Sequence, residues 1–384
     1  YAADYLPAQA ATLKFYVYLH GFLLAMLGLV MADNVLGMFV FWELTTVISY
    51  LLIGFESESE AARQSARQAL LVTGAGGLAL LIGFLLLGSV ANTYDLSRIV
   101  LQAGAIKMDP LYLIVLTMIF IGAFTKSAQV PFHFWLPNAM TAPTPISAFL
   151  HSATMVKAGI YLLARFHPIL GGTTVWMATL VITGGITALI GSVLAIRASD
   201  LKRILAYTTI MALGILTMFL GGKTTPALTA AMTFLMVHSL YKSSLFLAVG
   251  SIDHQTGTRI IDQLGGLWKP MPVTALATVA AGNLNVVASV VSMFFLISYG
   301  LLNFATYYEA RSNSPSFRPT FKFYDARLSL LGALACGGVM LAIDPVSRTV
   351  WIAEIIPVVL VFAALLISVG RAGDLLGRIR PDLC

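Results

Sequence analysis

Charge is what this sequence has least of. Only 10% of its 384 residues are Asp, Glu, Lys or Arg, against 58% that are hydrophobic, and the mean hydropathy is +0.87. Soluble domains carry about 25% charged residues, so this composition specifies an integral membrane protein. Cysteine is almost absent: Cys336 and Cys384 are lone thiols, and with no CxxC or Cys/His cluster, iron–sulfur and zinc binding lack ligands. No GxGxxG follows a strand, which argues against dinucleotide binding. The run "GAGG" at 74–77 falls inside an apolar helix, where small residues let helices pack closely. The net charge of +6 comes mostly from loops, and no basic run interleaved with aromatics offers a nucleic-acid surface. There is no initiating methionine either. The chain opens at Tyr1 without a signal peptide, which reads as a start part-way through a longer protein.

What is abundant is apolar sequence. Runs of about 18 residues, each long enough to span a bilayer as a helix, lie near 13–32, 35–54, 69–90, 110–127, 145–165, 175–196, 202–221, 226–250, 284–305, 327–343 and 349–370. The fold class is therefore all-α, a polytopic membrane helical bundle with no room for a sizeable soluble domain. Threading the helices alternately places Arg63, Arg67, Arg197, Lys202, Arg203, Arg259 and Lys269 on one side, and Arg98, Lys107, Arg165 and Lys223 on the other. The richer side is expected to be cytoplasmic.

Against that background the charges inside the spans stand out, because each costs at least about 2.5–3.5 kcal/mol at a helix centre. Glu43, in "GMFVFWELTTVISYLLIGF", lies mid-span with a side chain too short to snorkel. It either ties two helices together through a buried cation or handles protons or ions. Lys126 ends an apolar run in "MIFIGAFTKSAQVPFHFWLP". Pro131 has no N–H, so the carbonyl of Ser127 loses its helical donor, and the helix is expected to break there. Such a break must face protein or water rather than lipid, so Lys126, with His133 nearby, can be hydrated or paired across a cavity. The alternative is a lysine snorkelling from a helix end.

In "TAPTPISAFLHSATMVKAGIYLLARF" Thr144 suits an N-cap and Pro145 the first helical position. His151 and Lys157 come next within one helix, six residues and about 120° apart, so both can border a wide polar cavity with Ser152 and Thr154 between them. In "FLMVHSLYKSSLF", His238 and Lys242 are at i and i+4, on one face and about 6 Å apart. Two basic groups there make sense if one is usually neutral, as in a chain of sites that share protons. Lys202, in "ASDLKRILAYTTI", either pairs with Asp200 in a solvated loop or joins the series.

Those same stretches carry a resemblance. "FVFWELTTVISYLLIGF", "FTKSAQVPFHFWLPNAMTAPTPISAFLHSATMVKAGIYLLARF", "ASDLKRILAYTTI" and "HSLYKSSLFLAVGSIDHQTGTR" resemble the antiporter-like subunits shared by Mrp-type Na⁺/H⁺ antiporters and respiratory complex I. Within that family the wording is most similar to the large A subunits, over about residues 1–281. The resemblance implies that Glu43 and Lys126 form a charge pair with the lysine on a broken helix. It further implies that His151, Lys157, Lys202, His238 and Lys242 carry protons along the membrane plane. It implies one component of a multisubunit complex in the cell membrane, exchanging Na⁺ for H⁺ without a cofactor and without enzymatic chemistry of its own.

The resemblance has edges. The chain starts at what resembles the family's fourth helix and lacks a long C-terminal part. After "MPVTALATVAA" the second broken helix of the family is replaced by a different sequence that begins "GNLNVVASVVSMFFLISYGLLNFATYYEARSNSPSFRPTF". Residues 282–345 resemble the closing helices of cation–chloride cotransporters, and 346–384 add another apolar span and a polar tail. A seam is expected at Ala281–Gly282, and with it the proton exit built from the missing helix is in question. The rival readings are a proton-pumping membrane subunit of a complex I-like or hydrogenase-type redox complex, a cation–chloride or amino-acid carrier fragment, and a non-transporting fusion remnant.

Overall fold

The computed structural model describes residues 2–6, 9–222 and 224–265, all within a first compact unit that runs from Tyr1 to Gly266. The expected seam, residues 282–345 and the tail lie outside the described residues. Eight main helices carry the described part: α1 Gln9–Met31, α2 Val35–Ile53, α3 Glu60–Ala91, α4 Tyr112–Lys126, α5 Thr144–Leu170, α6 Thr174–Arg197, α7 Leu201–Leu220 and α8 Thr225–Thr256. Seven of the spans are long and apolar enough to cross a bilayer, and α4 is shorter. These helices match the eight apolar runs expected before residue 251, with α3 and α8 reaching further into the polar ends. No strand occurs among the described residues, only the isolated bridges Asn34–Asp95 and Asp200–Ile260.

Local sequence sets the helix ends. Asn34 caps α2 by accepting from the N–H groups of Leu36 and Gly37 at 3.0 and 3.3 Å, and its amide donates to Asp95. Asp200 caps α7 by accepting from Arg203 N–H at 3.1 Å, while its other oxygen takes the Arg259 guanidinium at 2.5 Å. Thr144 is not the cap of α5: Pro143 occupies that position and Thr144 already lies inside the helix, with Pro145 in its first turn. A proline pair in extended-then-helical order starts the helix one residue earlier than a hydroxyl cap would.

Consecutive helices pack antiparallel, and two ends of the bundle are laced separately. At one end, Tyr112 Oη donates to the Leu170 carbonyl at 2.7 Å and Trp176 Nε1 to the Leu220 carbonyl at 2.9 Å. At the other, Asn138 donates to Gln68 at 2.7 Å, and a pocket is lined by Gln64, Gln68, Thr141, Arg203 and Arg259. Arg203 and Arg259 thus share an end with the start of α3, as alternate threading expects. Where α6 crosses α7 the backbones nearly touch: a Cβ at Gly184 would lie 2.5 Å from the Gly214 carbonyl oxygen. Small residues permit this close approach, which compensates for the missing hydrophobic drive between helices in lipid.

Candidate functional site

The break expected near Pro131 begins earlier, at Lys126, and the backbone shows why. Ala128 takes a left-handed conformation, φ 48, and the N–H of Gln129 donates to the Phe124 carbonyl at 2.9 Å. That is a Schellman closure, with alanine where glycine is usual, at a local cost of about 1–2 kcal/mol. Pro131 then heads the short turn Phe132–Phe134, and two further short helical pieces at 135–141 complete the crossing. The Ser127 carbonyl does not stay orphaned: Gln129 Nε2 donates to it at 3.0 Å. Replacing Gln129 by leucine removes that donor from a fully buried carbonyl. It should destabilise the protein by about 1–3 kcal/mol, read as a lower thermal midpoint in detergent.

Lys126 is completely buried at the end of α4. Its ammonium donates to Thr46 Oγ1 at 2.6 Å and to the Trp42 carbonyl at 3.2 Å, and sits 5.1 Å from the centre of the Trp42 ring. All three partners are neutral and all lie on α2. Glu43 stands beside Trp42 on that helix, close enough for its charge to act on Lys126, yet no ion pair within 4.0 Å joins them. Glu43 Oε1 is buried without a hydrogen-bond partner. Of the two roles open for Glu43, a static tie through a bound cation is therefore not what this geometry displays.

His151 and Lys157 do not sit on one regular helix. The chain runs as an α-helix to Ala148, as a π-helix over Phe149–Ala153 and as a tight turn over Met155–Lys157, before regular helix resumes at Ala158. The 120° expected from ideal geometry therefore does not apply. π-Segments are uncommon and concentrate at functional sites. Ser127 spans this irregular stretch: its hydroxyl donates to the Val156 carbonyl at 2.7 Å and accepts from Ile160 N–H at 3.1 Å. The two broken helices are thereby locked to each other.

His151 is fully buried, with neither ring nitrogen hydrogen-bonded. One neighbour is Trp135, ring centres 6.3 Å apart, whose Nε1 donates to the Thr125 carbonyl next to Lys126 at 3.0 Å. Another is Lys202, whose charge reaches His151 and whose ammonium donates to the Ala142 carbonyl at 3.0 Å. Lys202 is buried, so the solvated-loop alternative does not hold. Charges of Arg259, Asp253, Asp200 and Glu56 act on it from the loop end.

A second cluster forms between α5, α7 and α8. Lys157 donates to the Ser152 carbonyl and to Ser239 Oγ, the latter at 2.6 Å. Lys242, one turn after Ser239, donates to Thr208 Oγ1 at 2.7 Å. His238 lies within reach of both lysine charges, between the rings of Phe234 and Tyr241, with both nitrogens unpartnered. The structure thus brings Lys157, His238 and Lys242 together, sets Glu43 beside Lys126, and leaves His151 and Lys202 between the two groups. None of the four buried lysines has a carboxylate within 4.0 Å among the described residues. His133 stays only half-buried, with Nδ1 unpartnered.

Sequence reasoning missed the neutral acceptors Thr46, Thr208 and Ser239, the bridging Trp135 and the donor Gln129. A signal existed for two of them: Thr46 falls three residues after Glu43, and Ser239 three before Lys242, on shared helix faces.

Comparison with known proteins decides the family. The profile of the NADH:quinone oxidoreductase/Mrp antiporter transmembrane family matches residues 32–311. The chain belongs to that family. It is a multi-pass membrane protein, and the match runs past Ala281–Gly282 by some thirty residues. The probable A/B subunit of a K⁺/H⁺ antiporter from Rhizobium meliloti is 46% identical over 282 residues, covering 73% of this chain and 28% of that protein. The large A-type subunit of the Na⁺/H⁺ antiporter from Bacillus subtilis is 46% identical over 286 residues, covering 71% and 36%. A solved Mrp complex from Dietzia sp. contains a chain 45% identical, with a TM-score of 0.65 over 68% of this chain and 29% of that one. A membrane-bound sulfane sulfur reductase, an archaeal respiratory complex, shares the fold at 20% identity, with a TM-score of 0.61. The chain thus spans about a third of the length of the curated relatives it matches.

Proposed function

We propose that this chain is the proton-translocating core of a multisubunit Na⁺/H⁺ antiporter in the cell membrane. It would work by secondary transport rather than catalysis, with other subunits of the complex, lipid, and the ions Na⁺ and H⁺ as its partners. Protons would pass between Glu43 and Lys126 at one end and Lys157, His238 and Lys242 at the other, by way of His151 and Lys202. One observation carries this reading: Lys126 is buried at the end of a broken helix, held by neutral acceptors, with Glu43 beside it but not paired to it. A carboxylate approaching an ammonium stabilises the charged form of both, and withdrawal favours proton release. A lysine on neutral acceptors, with a carboxylate one small movement away, is poised between those two conditions.

The far cluster supports the same reading. Two lysines and a histidine sharing Ser239 and Thr208 would repel if all were charged, so a proton arriving at one displaces a proton at another. The seam at Ala281–Gly282, with a cotransporter-like segment at 282–345, is proposed on the sequence alone. A redox-driven pump would use the same residues, and the family includes both kinds of machine. Relatives named for K⁺ and for Na⁺ leave the cation to experiment.

The test is ΔpH dissipation in inverted vesicles from cells carrying the full-length protein with its partner subunits. Addition of Na⁺ should collapse the gradient, and vesicles lacking this chain should not respond. A response to K⁺ alone would replace the ion. No response to either cation, with a gradient instead generated by an electron donor, would favour the redox pump.

A further inference from the structure

The "GAGG" run has a more particular role than close packing. Gly76 and Gly77 are adjacent on α3, so their missing side chains point about 100° apart, toward different neighbours. A Cβ at Gly76 would overlap Thr125 Oγ1, the residue next to Lys126 on α4. A Cβ at Gly77 would overlap Glu43 Oε1 on α2. The same level is tight from the other side, since a Cβ at Gly122 of α4 would meet the Gly76 carbonyl oxygen at 3.2 Å. The diglycine is therefore the spacer between the helix bearing the acid and the helix bearing the lysine.

We infer that Gly77 is a positioning residue: its bare Cα forms a notch that receives the Glu43 carboxylate and holds it apart from Lys126. This rests on the proton-transfer reading of Glu43 and Lys126 and adds where the carboxylate goes when the two are apart. Three observations meet here. Glu43 Oε1 is buried without a hydrogen-bond partner, so the position is fixed by shape rather than by a donor. Lys126 is satisfied by Thr46 and Trp42, so it does not draw the carboxylate out of the notch. The neighbouring glycine differs: a Cβ at Gly74, one turn away, would meet nothing within 4 Å. With the notch filled, Glu43 is forced to another rotamer and the acid–lysine separation changes.

The test is a double-mutant cycle in the assembled complex, using Gly77→Ala, Glu43→Asp and the pair, with Gly74→Ala as control. Exchange is normalised to protein in the vesicles, and thermal midpoints are taken on the purified complex. Gly77→Ala should lower exchange about tenfold, while Gly74→Ala leaves it at the wild-type level. Aspartate is shorter by one methylene and withdraws the atoms that would collide. Gly77→Ala should therefore cost little further in the E43D background, in exchange or, if E43D is inactive, in thermal midpoint. Equal effects of Gly77→Ala in both backgrounds, or wild-type exchange by G77A, would overturn the notch. If G77A does not reach the membrane, E43D in the same chain must restore its abundance, and failure to do so overturns the notch as well. Lost exchange in Glu43→Gln beside normal exchange in G77A removes the notch and leaves the proton reading. Normal exchange in Glu43→Gln removes the proton reading, and the thermal cycle still decides the notch.

Discussion

Replacing Lys126 by alanine should abolish cation/H⁺ exchange, lowering it by about 100-fold or more, the scale at which a positioned proton donor or acceptor contributes. The chain should still reach the membrane. Lys126 makes no ion pair within 4.0 Å, so its removal leaves no carboxylate stranded by a broken bridge. Thr46 and the Trp42 carbonyl lose a donor but keep the helix bonds that Thr45 and Thr46 make to Trp42. Arginine in place of Lys126 should fail as well, because a guanidinium cannot release its proton and does not fit three neutral contacts made for an ammonium. Exchange in vesicles, normalised to the amount of chain present, checks both variants. Substantial exchange in K126A would mean that protons bypass α4.

The second large effect is expected at the opposite end. Lys242→Ala should reduce exchange by at least about tenfold while raising the thermal midpoint of the purified complex. The opposite signs arise from the site. Lys242 is buried beside Lys157 and His238 and bonds only neutral Thr208 among the described residues, so its ammonium is a desolvation burden without a compensating carboxylate. Removing it relieves that burden and interrupts proton sharing at once. A purely structural lysine would behave otherwise, with a lower midpoint and exchange falling only as far as folding does.

How much of this was legible beforehand depends on what spacing can encode. Each apolar run up to α8 became a helix within a few residues of its expected ends, because bilayer thickness fixes length. Lys126 and Pro131 announced the break. Spacing did not reveal that Ala128 would turn left-handed, or that Gln129 would supply the donor Pro131 withheld, since both depend on backbone conformation after the helix has ended. Likewise the pair His238–Lys242 could be placed on one face from its interval alone. His151 and Lys157 could not, because the interval carries a π-segment and a tight turn that no periodicity announces.

The contacts between helices were the least legible. Lys157 meets Ser239 across 82 positions and Lys126 meets Thr46 across 80. The glycines of α3 were visible as small residues, but only the packing of α2 and α4 against them showed which glycine faces the acid. The site is therefore a set of local signals joined by tertiary contacts: broken helices supply the irregular backbone, and glycines and hydroxyls set the separations.

The central claim is that the Glu43 carboxylate governs the proton on Lys126, and one measurement meets it most directly. ΔpH-driven exchange is recorded in vesicles containing wild-type protein or Glu43→Gln, at equal chain content and over a range of pH. Glutamine keeps the shape and fits the same space but cannot carry the charge. The account predicts loss of exchange at every pH, with the chain folded and assembled. Wild-type exchange in Glu43→Gln would contradict it.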